Sequence, residues 1–201
     1  MSKDKIHMKA ADTGSYIEPP KSIPLYLRPL IYITEKTTGK TMLPARLLTW
    51  RPVAGIASGL LELSAEKGGK QIGERITALI RLIISFEISS PFLIDINAQN
   101  REKYHITSDE MSVLRGEKSL DSSNSFTERE GVALRYALML SKTPIQVDND
   151  LILDVKRLFS QEEMVIMAVL VGKVNYWGRF AEGLGIPPAG YNSADDPELK
   201  L

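Results

Sequence analysis

Residues 74–100 read ERITALIRLIISFEISSPFLIDINAQN, and the rest of the fold depends on how this stretch is arranged. From Ile76 to Ile88 the apolar residues Ile76, Leu79, Ile80, Leu82, Ile83, Ile84, Phe86 and Ile88 cover almost every side of a helix. A soluble chain tolerates such a helix only where other helices enclose it. Ser89 and Ser90 interrupt the run, and Pro91 suits the first position of a second helix because it has no N–H to lose. Ser90 stands where a hydroxyl can accept a bond from the first free amides of that helix. The stretch therefore predicts a buried helix, a sharp break and a second helix at the centre of the molecule.

The flanking sequence is helical as well. Thr107 with Glu110, Thr127 with Glu130 and Ser160 with Glu163 have capping-box spacing, so each predicts a helix start. Asp148 or Asn149 can cap LILDVKRLF, whose Leu151, Val155 and Leu158 share a face. The last long helix, MVIMAVLVGKVNYWGRFAEGLG, should close at Gly183 or Gly185 ahead of Pro187. Upstream, a short helix follows Pro29 and stops at Gly39. Leu43 to Trp50 forms another, and a third runs from Pro52 to Lys67, ended by Gly68 and Gly69. Glu117 to Ser125 is a polar loop. No segment alternates with period two, so the chain reads as all-α. Its expected organisation is a flexible arm over residues 1–22, one helical domain over 23–191 and a flexible tail over 192–201.

Composition narrows the chemistry. Among 201 residues there is no cysteine, which removes disulfides, thiolate metal sites and thiol catalysis together. Lys and Arg number 25 and Asp and Glu 25, so no overall charge argues for nucleic acid as a partner. Arg81, Glu87 and Lys173 interrupt the longest apolar runs, so no membrane span is expected. Met1 to Pro20 has no apolar signal core, and a cytoplasmic protein without metal or other cofactor is the expectation.

The segment ALIRLIISFEISSPFLIDIN, residues 78–97, resembles the core motif of the alkylhydroperoxidase D-like (AhpD-like) and carboxymuconolactone decarboxylase family. There a Glu begins a helix that runs into a C-x-x-C-x-x-x-H segment. LYLRPL, TTGKTMLPARLLTWRP, FTEREGVALRYALMLSKTP and VNYWGRFAEGLGIP resemble the flanking helices of one subgroup, so the likeness covers residues 23–191. It implies an AhpD-like helical bundle and a homo-oligomer assembled through the flanking helices. On that frame the family's proton-relay Glu falls at Ala78, the first Cys at Ser90, the second at Leu93 and the His at Asn97. All four functional groups are replaced. In redox-active relatives a thiolate attacks peroxide, and a helix N-terminus helps to ionise it. A serine hydroxyl is too weak an acid for that modest dipole, Leu93 cannot resolve a sulfenate, and Asn97 cannot carry a proton as His does. The resemblance transfers the fold and not the peroxidase activity.

Several residues remain as site candidates. Ser90 reads first as a helix cap and second as a hydroxyl facing a ligand. A Ser-His-Asp arrangement would need His7 or His105, neither of which is near it in sequence. Ser90, Leu93 and Asn97 share a helical face, and Asn97 can bind a carbonyl or a nearby backbone group. Arg81, with Glu74 and Ser85 on its face, needs a partner in so apolar a helix: Asp95, Glu74, Glu87 or a ligand carboxylate. Glu87 brings a single carboxyl close to the break. Tyr176 and Trp177, beside Arg179, read as subunit-interface anchors. Ser90, Asn97, Arg81 and Glu87 are thus the ligand-pocket candidates. Two functions follow. The protein binds or transforms a small organic molecule by non-thiol chemistry, or it is a catalytically inert oligomeric homologue with an interaction role. An open polar pocket beside Asn97 favours the first, and one filled by Leu93, Phe92 and Phe86 favours the second.

Overall fold

The computed structural model describes residues 14–121 and 124–200; the first part of the expected arm, residues 1–13, lies outside them. Among the described residues there are nine α-helices and no strand. They are α1 (Arg28–Thr38), α2 (Leu43–Leu47), α3 (Pro52–Ile72), α4 (Glu74–Glu87), α5 (Pro91–Ala98), α6 (Ser108–Leu114), α7 (Glu128–Ser141), α8 (Asn149–Leu158) and α9 (Gln161–Leu184).

Helix α4 is the axis of the bundle, in contact with α3, α5, α7 and α9. Its Ile80, Leu82 and Ile84 are wholly buried, and each such side chain contributes about 1.5–3 kcal/mol of hydrophobic stabilisation. The break falls where expected. Glu87 ends α4, Ser89 takes a left-handed φ of 50°, and Pro91 opens α5.

All three expected capping boxes form, at Thr107, Thr127 and Ser160, and the Asp148 carboxylate caps α8. Helix α1 stops at Gly39 in the left-handed region. The segment from Leu43 to Trp50 splits into α2 and a 3-10 turn over Leu48–Trp50, closed by the extended Arg51 before Pro52.

One boundary departs from expectation. Gly68 and Gly69 do not end α3, which continues to Ile72 and stops at Gly73. A Cβ at Gly68 would lie 2.9 Å from Ile166 of α9, and one at Gly69 would lie 2.9 Å from the Thr77 side chain of α4. The two glycines let α3 approach both neighbours closely. Thr77 Oγ1 completes that contact by donating to the Gly69 carbonyl at 2.8 Å.

Both ends of the described chain are tied to the bundle. The Tyr16 amide donates to the Leu184 carbonyl and the Trp50 indole to the Glu18 carbonyl, each at 2.9 Å. Gly185, at φ 63°, leaves room for the Tyr16 ring, which a Cβ would meet at 2.6 Å. The tail expected to fray from residue 192 is also anchored. The buried Asp95 carboxylate accepts the amides of Gly190, Tyr191 and Asn192, and Arg101 pairs with Asp196.

Candidate functional site

Of the four positions marked by the resemblance, Ser90 and Leu93 lie where α5 meets α9, Asn97 of α5 is bonded to α4, and Ala78 is buried on α4. Ser90 is 0% exposed, Leu93 4% and Ala78 6%. Phe86 and Phe92 beside them are also buried. Leu93 and Ile88 lean on α9 at Gly178, where an added Cβ would fall 2.0 Å from Ile88 Cδ1 and 3.2 Å from Leu93 Cδ1. Aliphatic side chains therefore fill the space between α5 and α9 around Leu93.

Ser90 holds the N-cap position of α5, but its side chain makes no capping bond. The hydroxyl instead donates to Glu182 Oε1 of α9 at 2.9 Å. In place of the cap expected from sequence, in which the hydroxyl would accept an amide, the Ser90 hydroxyl is turned toward α9 as a donor to a charged acceptor. A thiolate placed at position 90 would face the Glu182 carboxylate, and a neighbouring negative charge disfavours ionised sulfur. His105 is exposed and the Ser90 hydroxyl is bonded to Glu182, so the Ser90–His105 pairing considered from sequence does not form; His7 lies outside the described residues.

Asn97 turns back to α4. Its Nδ2 donates to Ser85 Oγ at 2.9 Å, and Ser85 passes its own hydrogen to the Arg81 carbonyl at 2.6 Å. Ala78 lies on the same helix two turns from Ser85, about 10 Å along the axis. Arg81 finds a partner that the sequence reading missed. Its guanidinium pairs with Glu66 of α3 rather than with Asp95, Glu74 or Glu87. Those three are directed elsewhere: Asp95 to the tail, Glu74 to Lys103 and Glu87 to a surface groove.

Beside the Arg81–Glu66 pair, Lys173 of α9 is buried against Glu62 of α3, at 2.7 Å. Burial pushes its ammonium pKa down, the Glu62 carboxylate pulls it back up and nearby Arg81 lowers it again. Glu62 also accepts the Trp177 indole at 3.0 Å, while Tyr176 Oη and Ser58 Oγ lie 2.7 Å apart. With Phe180 stacked on Tyr176, these rings fasten α9 to α3 within one chain. Tyr176 and Trp177, read from sequence as interface anchors, are half-buried here and have their polar tips bonded within the chain.

An open groove of about 910 Å³ runs past the contact of α5 with α9. Ile88, Leu138, Met139 and Leu151 supply its apolar wall. Arg135, Lys142 and Arg179 line it together with Glu87, Asp148 and Glu182. The groove thus reaches the buried centre through Glu182, whose carboxylate is held by Ser90. Sequence reasoning placed Glu87 near the centre but missed Glu182, which is 92 residues from Ser90. A second groove of about 960 Å³ is mainly apolar and lies between Pro19, Pro20, Trp50 and Phe180. Among the described residues, no group of three or more His, Cys, Asp or Glu could hold a metal ion, and no helix is long and apolar enough to cross a membrane.

Comparison with known proteins places this arrangement. No family model matches the chain. It is 24% identical over 174 residues to the uncharacterized Escherichia coli protein YnjA, covering 87% of this chain and 94% of that one. A cysteine-to-alanine variant of the debrominase Bmp8, in complex with 2,3,4-tribromopyrrole, superposes with a TM-score of 0.71 at 17% identity, covering 92% of this chain and 97% of that one. An uncharacterized peroxidase-related protein from Ralstonia eutropha JMP134, described as an alkylhydroperoxidase AhpD core, gives 0.70 at 15% identity, covering 90% and 95%. The chain has the AhpD-like helical fold.

Proposed function

We propose that this protein binds a small organic molecule in the groove walled by Ile88, Leu138 and Glu182, and that any chemistry there proceeds without a thiol. The observation that carries this reading is the Ser90–Glu182 bond. It holds a carboxylate of the groove wall 2.9 Å from the Ser90 hydroxyl, the group at which the family resemblance places the first sulfur. The groove combines an apolar side with ionic groups of both signs, the usual make-up of a site that orients a small polar aromatic ligand. Bmp8, which shares the fold, holds a tribrominated pyrrole, and that compound is a suitable first probe.

The closed centre favours a second reading. With Ala78, Leu93 and Phe92 buried, the protein would be an inert homologue whose work is done by its surfaces. Calorimetric titration of the purified chain with 2,3,4-tribromopyrrole and simple aromatic carboxylates separates the two. Binding at or below the millimolar range, weakened at least tenfold by Leu138→Trp and by Glu182→Ala with thermal unfolding unchanged, is the expected result. If none of the probes binds, or if neither substitution alters binding, the inert reading stands.

A further inference from the structure

Helix α9 separates the two grooves. With about 100° between successive residues, Gly178, Arg179 and Glu182 lie toward the first groove, while Tyr176, Phe180 and Leu184 lie on the opposite side and line the second. The second groove, about 960 Å³ in volume, is bordered by residues 17–22 on their way to α1. Tyr16 and Glu18 tie that segment down through the Leu184 carbonyl and the Trp50 indole. Such a volume suits a small organic guest.

This groove offers a guest mainly carbon. Leu47 and Leu48 are buried, Trp50 is 58% exposed, and Phe180 and Leu184 are half-buried. The polar atoms of its larger rings are already used, Trp50 Nε1 on the Glu18 carbonyl and Tyr176 Oη with Ser58. What remains for polar recognition is exposed: the cations Lys21 and Arg51, the Glu18 carboxylate and the Ser22 hydroxyl. Among the described residues neither cation makes an ion pair. Cations thus outnumber acids on an otherwise apolar wall. From this combination we infer that the second groove binds a free apolar monocarboxylate of the fatty-acid class, its chain against Trp50 and Phe180 and its anion between Lys21 and Arg51. The Arg51 guanidinium presents paired donors that match two carboxylate oxygens. Exposed ion pairs are individually weak, so apolar contact supplies most of the affinity and the cations set the direction of the chain. The site is independent of the ligand proposed beside Glu182.

Decanoate, held below its micellar concentration, is the probe for the purified full chain, with decyltrimethylammonium as its cationic counterpart. By calorimetry one decanoate should bind per chain in the micromolar range, and it should shift the fluorescence of Trp50 to the blue. That shift should vanish in Trp50→Phe. Decyltrimethylammonium should bind about tenfold more weakly. Combining Lys21→Glu with Arg51→Glu should reverse this preference with thermal unfolding unchanged. Ala54→Trp, which puts a large ring into the groove, should remove binding of both probes. Decanoate that binds no more tightly than millimolar, equal binding of the two probes, or a preference that the double variant leaves in place overturns the proposal.

Discussion

Arg75→Ala is expected to lower the unfolding free energy by about 3–5 kcal/mol, because it strands two buried carboxylates. For a chain of this size that corresponds to a fall in Tm on the order of 10 °C. Arg75, in the first turn of α4, pairs with Glu110 and holds Glu130 at 2.8 Å; the two carboxylates are 3% and 8% exposed. It also donates to the carbonyls of Tyr104 at 2.7 Å and His105 at 2.9 Å. Glu110 and Glu130 are the third residues of two capping boxes, so one guanidinium locks the starts of α6 and α7 to the central helix. Arg75→Lys supplies one point charge in place of a planar fork and should recover less than half of the loss. Urea unfolding monitored by circular dichroism measures both, and a loss under about 1 kcal/mol for the alanine variant would show that the carboxylates find water instead.

The same cluster sets an acid limit. Burial works to raise the Glu130 pKa, but the Thr127 amide, Arg75 and the Thr127 hydroxyl outweigh it and hold the carboxyl below its ordinary 4.5. A depressed folded value means that this stabilisation is complete above 4.5 and is lost as pH falls through the lower folded value. Removing Arg75 brings the two values together, so the acid limb of the stability curve should flatten in the variant.

Asp95→Ala should release the C-terminal segment and cost about 2–3 kcal/mol, the scale of losing charge-assisted hydrogen bonds to backbone amides. The Asp95 carboxylate accepts Gly190 N at 2.8 Å, Tyr191 N at 3.1 Å and Asn192 N at 2.9 Å. The Asn192 amide bonds back to the Asp95 carbonyl at 2.7 Å. Without the carboxylate these donors turn to water and the segment from residue 190 can leave the bundle. Limited proteolysis should then cut between residues 188 and 195 in the variant, while the native chain resists. Equal resistance would mean that the remaining contacts, among them Arg101 with Asp196 and the Tyr191 hydroxyl on the Thr38 carbonyl, hold the tail without Asp95.

What the sequence made legible was local. Capping boxes at Thr107, Thr127 and Ser160 join residues three apart, and all three formed. The enclosure of α4 followed from its apolar surround, and the break before Pro91 from proline's missing N–H. What stayed hidden was the identity of distant partners. Gly68 and Gly69 looked like a helix stop because Ile166 and Thr77, which need the space, are elsewhere in the chain. Arg81 demanded an acid, and three nearby acids were considered, but Glu66 of α3 supplied it. Ser90 fitted a cap, but its hydroxyl is turned as a donor toward Glu182, 92 residues away. Asp95 was read as a partner for Arg81, although Gly190, at φ 76°, and the Tyr-Asn pair after it were a signal for a turn that presents amides to an anion. The AhpD-like helical fold was legible through resemblance; the burial of Ser90 and Leu93 depended on packing, which no spacing reports.

Hydroperoxide consumption measures most directly whether an AhpD-like scaffold survives here with its sulfur chemistry gone. Cumene hydroperoxide, a small dithiol reductant and a metal chelator would be mixed with the native chain, and separately with a variant carrying Ala78→Glu, Ser90→Cys, Leu93→Cys, Asn97→His and Glu182→Gln. The native chain should stay at the buffer rate, and the variant should exceed it until its thiols are alkylated. Sustained consumption by the native chain, or a variant whose two cysteines never oxidise to a pair, would contradict it.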